Sequence, residues 1–273
     1  MMKRILVFAA HPDDDIIGCG GSLAKHVKLG NQVSVCYMTS GEAASLDYSK
    51  GELARIREGE ARNAAQVIGF QDLTYLRNSD GYLKYDQSNL KKLVELVREK
   101  QPHIVYVHHQ SDGHQDHRIA FQLVNESLGR ASASLFQEYK GAPWSTEAVL
   151  AYEVWTPLSD FEYVEDISEF IDKKTAALRK HESQIKSIPY DEAFEGLARY
   201  RGAITGKGKY CEVFKVIKHL TCSRRGFRPA RATFSYASAS ATALVSVCLR
   251  GFPVSERLNF GLPLFFFGRR GSE

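Results

Sequence analysis

Short apolar, β-branched runs alternate with helix-period stretches along most of this 273-residue chain, and no other feature limits its fold so strongly. The runs KRILVFAA, QVSVCYM, DLTYL and HIVYVHH alternate with SLAKHVKLG, an amphipathic stretch from Glu52 to Ile68, and NLKKLVELVREK. Turn signals at Gly30-Asn31, Gly69 and Pro102 separate them. Strand and helix in turn predict right-handed βαβ units on a mostly parallel sheet, that is, a single α/β domain. Further strands are predicted at Glu147 to Trp155, Tyr163 to Val164 and Cys211 to Ile217, and a helix from an N-cap Ser168 to Ser183.

The predicted domain covers residues 1–220. From Thr221 onward the composition turns to Ser, Ala, Arg and Phe and ends in LPLFFFGRR, so residues 221–273 read as an atypical tail, disordered or a non-native extension. Charge divides at the same place. The net charge is +4, but from residue 220 on there are eight Arg and two Glu, leaving 28 basic and 30 acidic groups before it. The predicted domain is therefore not basic, and no nucleic-acid partner is expected. The short apolar run at the N-terminus reads as a strand and not as a secretory segment. No segment approaches the roughly 18–20 apolar residues of a membrane span, so a cytoplasmic protein is expected, with a homo-oligomer compatible. The five cysteines lack C-x-x-C spacing and read as reduced core thiols.

In parallel sheets, ligands sit beyond the carboxyl ends of strands. Two polar clusters occupy such places: HPDDD after Arg4 to Ala10, and HHQSDGHQDH after Ile104 to Val107. A hydrolytic zinc site needs three N/O ligands and an open position. His11 and Asp14, three residues apart in a turn, and His117 supply such a set, which equally fits ferrous iron. A lone H-P-D-D segment would be only a turn with an N-cap carboxylate; a second His/Asp cluster after another strand is hard to attribute to capping. Asp13 is the candidate general base. His114 is the candidate for stabilising the oxyanion or protonating the leaving amine, with Asp116 or Asp112 to orient it. His108 and His109 read as structural, with one of them a candidate for lining the pocket. Gly18-Cys19-Gly20-Gly21 lacks the spacing of a phosphate loop and follows carboxylates that would repel phosphate.

At these residues the sequence resembles the LmbE-like, or PIG-L, family of N-acetylglucosaminyl deacetylases. The family's A-H-P-D-D-E motif corresponds to Ala10 to Asp15, and its H-x-D-H motif to His114 to His117. An R-x-x-E-x-x-x-A segment matches Arg57, Glu60 and Ala64, and a late pattern matches Lys174, Ala177, His181, Ser183 and Gln184. The resemblance covers roughly residues 3 to 217. It implies a Rossmann-like fold, zinc held by His11, Asp14 and His117, Asp13 as base, and sugar contacts from Arg57 and Asp80. Asp15 departs from the motif's Glu, which implies altered support around the metal. The reaction so implied is deacetylation of an N-acetylated sugar conjugate by a water activated at the metal. The alternatives are an amidase acting on a thiol conjugate or antibiotic sugar, and a non-catalytic sugar- or nucleotide-binding module.

Overall fold

The computed structural model describes residues 2–219, so the tail at 221–273 lies outside the described residues. Among these, seven strands form one sheet: β1 (Arg4–Ala9), β2 (Gln32–Thr39), β3 (Asp72–Asn78), β4 (Ile104–His108), β5 (Ala148–Tyr152), β6 (Tyr163–Asp166) and β7 (Cys211–His219). Their order is β3-β2-β1-β4-β5-β7-β6. The first five in this order are parallel, as the alternation predicts; β7 runs antiparallel to both β5 and β6. The helices are α1 (Asp14–Lys28), α2 (Lys50–Ile68), α3 (Gln87–Lys100), α4 (Gln115–Ser132), α5 (Ile171–Leu178), α6 (Glu182–Ile185) and α7 (Tyr190–Thr205).

Both faces of the sheet are covered, which is why its central strands are apolar throughout. On β1, Ile5, Val7 and Ala9 enter one core with residues of α1, α2, α5 and α7. Leu6, Phe8 and the following Ala10 enter the other, against α3 and α4. The chain leaves β1 for β2 on one side and returns to β4 on the other, so the gap beyond β1 and β4 is the switch point of the sheet. Both polar clusters open onto it.

The predicted helix from Ser168 to Ser183 is not continuous. Ser168 Oγ donates to Asp166 Oδ1 (2.6 Å) and accepts from the N–H of Lys209 (2.9 Å) and Tyr210 (3.1 Å), so it ties β6 to the approach of β7 and caps nothing. Helix α5 starts at Ile171 without a side-chain cap, and a break at residues 179–181 precedes α6. Helix α7 had no counterpart in the sequence reading.

Helix α1 is divided at Cys19, whose φ of −146° and ψ of 17° are not helical. The N–H groups that open its second half, Gly21 and Ser22, donate to the Glu212 carboxylate at 2.9 and 2.8 Å, and Ser22 Oγ adds 2.6 Å. Lys174 Nζ closes the arrangement at 2.7 Å from Glu212 Oε1 and 2.7 Å from the Ile17 carbonyl. The anion position of the glycine-rich segment is thus filled from within the chain. Space explains two of the glycines, since a Cβ at Gly18 would enter the Tyr152 ring and one at Gly21 the Ile167 side chain. Lys174→Met would leave Glu212 buried and unpaired, a loss of about 3–5 kcal/mol. Thermal denaturation should show a Tm lower by roughly 10 °C; an unchanged Tm would mean that the pair contributes little.

Candidate metal centre and active site

His11 follows β1, Asp14 opens α1, and His117 lies in the first turn of α4. The structure brings three of their atoms together. His11 Nδ1 is 3.2 Å from Asp14 Oδ2 and 3.2 Å from His117 Nε2, and the latter two are 3.4 Å apart. A tetrahedral ion with bonds of about 2.0–2.2 Å needs donors about 3.3–3.6 Å apart, so this triangle fits zinc. Protons are placed to suit. His117 Nδ1 donates to Asp112 Oδ1 at 3.0 Å, leaving Nε2 a lone pair. His11 Nε2 lies 3.0 Å from Asp80 Oδ1 and 3.4 Å from Asp116 Oδ2. Neither oxygen is aligned for a good hydrogen bond, but together they draw the ring proton to Nε2 and free Nδ1. Three electron pairs then face one another in a buried pocket, an arrangement that a cation stabilises. Burial works against a charge on His11, yet Asp116, Asp14 and Asp80 outweigh it and raise the imidazole's pKa well above its ordinary range, so a cation at the triangle takes the place of a proton on Nδ1.

Asp13, next to Asp14 in the chain, supplies none of the triangle's corners. Its Oδ2 accepts from Arg57 Nη2 at 3.0 Å, so the cation that relieves repulsion between the neighbouring carboxylates is, on this side, an arginine. Burial lifts the Asp13 carboxyl to about 7, against the pull of Arg57 and with the push of Asp14. A dication bound nearby would act with Arg57 to lower it. Arg57 is itself buried, with Nη1 donating to the Gly41 carbonyl (2.9 Å) and Nη2 to the Pro12 carbonyl (2.6 Å). Asp80 Oδ2 accepts from Ala43 N (2.9 Å) while Oδ1 faces His11; burial opposes its ionisation, but His11 prevails and holds it at about 2.

His114 is the N-cap of α4, and its Nδ1 accepts from the Asp116 N–H at 3.2 Å, leaving Nε2 to carry the proton. Burial, His11 and His117 lower its pKa. The expected orientation of His114 by the carboxylate of Asp112 or Asp116 is not found. Asp112 is engaged with His117, and Asp116 accepts from the N–H of Gly81 (2.7 Å) and Leu83 (3.2 Å) behind His11.

Comparison with known proteins bears on the same residues. Residues 6–128 match the family described as PIG-L, GlcNAc-PI de-N-acetylase. The diacetylchitobiose deacetylase of Thermococcus kodakarensis is 30% identical over 228 residues, 79% of this chain and 84% of that protein. The chain belongs to the PIG-L family. A 1D-myo-inositol 2-acetamido-2-deoxy-alpha-D-glucopyranoside deacetylase of Saccharopolyspora erythraea is 28% identical, covering 64% of this chain and 81% of that protein. Among solved structures, N,N'-diacetylchitobiose deacetylase from Pyrococcus horikoshii superimposes with a TM-score of 0.72 at 27% identity, covering 79% of this chain and 84% of that one. The α/β fold with a mostly parallel sheet is thus shared with PIG-L family deacetylases.

Within this PIG-L family chain, the described residues contain three overlapping groups with metal-ligand potential: His11/His114/His117, Asp14/His108/His117 and His11/Asp80/Asp116. The triangle above takes its members from all three. His108, read from sequence as structural, accepts from Ala10 N at 3.0 Å, stacks on His117 at 3.9 Å between ring centroids, and has Nε2 3.2 Å from Asp14 Oδ2. Burial keeps it neutral at neutral pH, near a pKa of 4. Asp112 joins two parts of the site: Oδ1 fixes His117 while Oδ2 accepts from the N–H of Trp155 (3.0 Å) and Thr156 (3.2 Å), linking the loop after β5 to the site. Asp15, where the family motif has Glu, is fully buried; Tyr37 donates to Oδ2 at 3.1 Å, and Oδ1 has no partner among the described residues. No helix of the described residues is long and apolar enough to cross a membrane.

Proposed function

We propose that this chain is a zinc-dependent hydrolase that removes the acetyl group from an N-acetylglucosamine-type amide, with the ion held by His11, Asp14 and His117. The observation that carries this reading is the triangle of electron pairs beside Asp13, a carboxylate that does not take part in it. Bound there, zinc would polarise the acetamide carbonyl and acidify a water; ferrous iron suits the same donors.

The chain's own groups supply the rest. Asp13 accepts the proton of the attacking water, Arg57 fixing its carboxylate from the other side. His114, with Nδ1 engaged by the Asp116 N–H, presents Nε2–H to the oxygen that gains charge or to the departing nitrogen. Asp112 sets the ring plane of His117, Asp80 places its charge beside His11 Nε2, and Asp116 holds the loop at Gly81 next to His11. The names of the Thermococcus and Saccharopolyspora relatives share an N-acetylglucosamine unit and differ in what is attached to it, so that unit is what we carry over. Incubating zinc-loaded protein with diacetylchitobiose and with N-acetylglucosaminyl inositol should release acetate and free amine in equal amounts from at least one of them. Stoichiometric zinc without acetate from any N-acetylglucosamine conjugate would return the chain to another amide or to a binding role.

A further inference from the structure

We infer that Arg57 is a positioning residue that holds Asp13 in a strained, productive orientation, and that Gly41 is the seat that allows it to do so; this rests on the reading of Asp13 as the base. Asp13 has φ 122° and ψ −32°. Of the non-glycine residues with positive φ among those described, Arg77 and Gln101, at 54° and 48°, lie near the left-handed helical well, whereas Asp13 is far outside it. Such a conformation persists only where the surroundings impose it.

Arg57 imposes it from both sides of the strained bond. A single nitrogen, Nη2, donates to the carbonyl before it, on Pro12 (2.6 Å), and to the carboxylate beyond it, on Asp13 (3.0 Å). The other nitrogen, Nη1, is anchored on the Gly41 carbonyl at 2.9 Å. Gly41 has φ +65°, and a Cβ there would overlap the guanidinium. The guanidinium could yield only by leaving Pro12 and Asp13. Loop 41 after β2, the middle of α2 and the turn after β1 thus form one clamp whose output is the direction of a carboxylate. A lysine cannot replace the planar fork, because one ammonium does not span three fixed acceptors.

The test compares Arg57→Lys, Gly41→Ala, the double variant and Asp13→Asn as zinc-loaded proteins on whichever N-acetylglucosamine conjugate the parent hydrolyses best. Each of the first two should lower kcat by roughly 30- to 100-fold, the scale of a base misplaced by about an ångström. KM should stay within about threefold and zinc near one equivalent. The double variant should be no worse than the weaker single one, since both act through one clamp. Gly41 offers no side chain to a substrate, so a kcat loss there with KM unchanged is not what a sugar contact predicts. The substitutions lie on different elements, and if one variant does not fold the other decides. Raised KM with preserved kcat in Arg57→Lys, parental kcat in Gly41→Ala, or losses that multiply in the double variant would overturn the inference. Where Asp13→Asn is impaired, those results overturn the inference alone; parental kcat in Asp13→Asn removes the base assignment as well.

Discussion

Replacing His117 by alanine is expected to give a folded protein that retains little zinc and releases almost no acetate, and His11→Ala and Asp14→Ala should behave alike. Each contributes one corner of a triangle whose edges are 3.2–3.4 Å, and a three-donor site cannot complete its coordination from two. Scale follows from the neighbours. Removing an outer partner such as Asp112, which orients His117 at 3.0 Å without being a corner of the triangle, should weaken metal binding by about 10- to 100-fold, so loss of a ligand must cost more than that. Elemental analysis on protein shown by circular dichroism to be folded measures it. Full zinc occupancy in all three alanine variants would move the ion to another of the overlapping groups, with Asp14, His108 and His117 the next to try.

The second large effect separates chemistry from metal binding. Asp13→Asn keeps the size of the side chain and an oxygen for Arg57 Nη2, which now sits 3.0 Å from the carboxylate, so the turn should survive. It removes only the proton acceptor. Zinc should remain near one equivalent while kcat falls by roughly 10²- to 10⁴-fold, the usual worth of a positioned base. Near-parental kcat with zinc bound would make Asp13 a structural carboxylate and direct the search for the base to Asp15, Asp112 and Asp116.

The frame of the molecule was legible because its information is local. Strand and helix periods predict a mostly parallel sheet, and polar clusters at strand ends point to one edge of it, where His11, Asp14 and His117 meet. What stayed hidden depends on residues far apart in sequence. The carboxylate that divides α1 comes from Glu212, 191 positions after Gly21, and nothing near Gly18-Cys19-Gly20-Gly21 announces it. Ser168 has the sequence appearance of a helix cap, but it is engaged by Lys209 and Tyr210 from across the fold. Arg57 is expected at the sugar from the family resemblance; nothing in its sequence neighbourhood announces that Nη1 and Nη2 also reach Gly41, Pro12 and Asp13, contacts made where the middle of α2 meets the turns after β1 and β2. Asp116 or Asp112 is expected behind His114; the N–H of Asp116 engages the His114 ring instead, while the Asp112 carboxylate engages the His117 ring.

The central claim is that zinc in this pocket makes the chain an N-deacetylase, and titrating metal back into stripped protein tests it most directly. Protein cleared of metal with a chelator should release no acetate from an N-acetylglucosamine conjugate, and activity should rise in proportion to added zinc until one equivalent is bound. Undiminished acetate release by the metal-free protein would contradict the account, as would one bound equivalent of zinc with no acetate released.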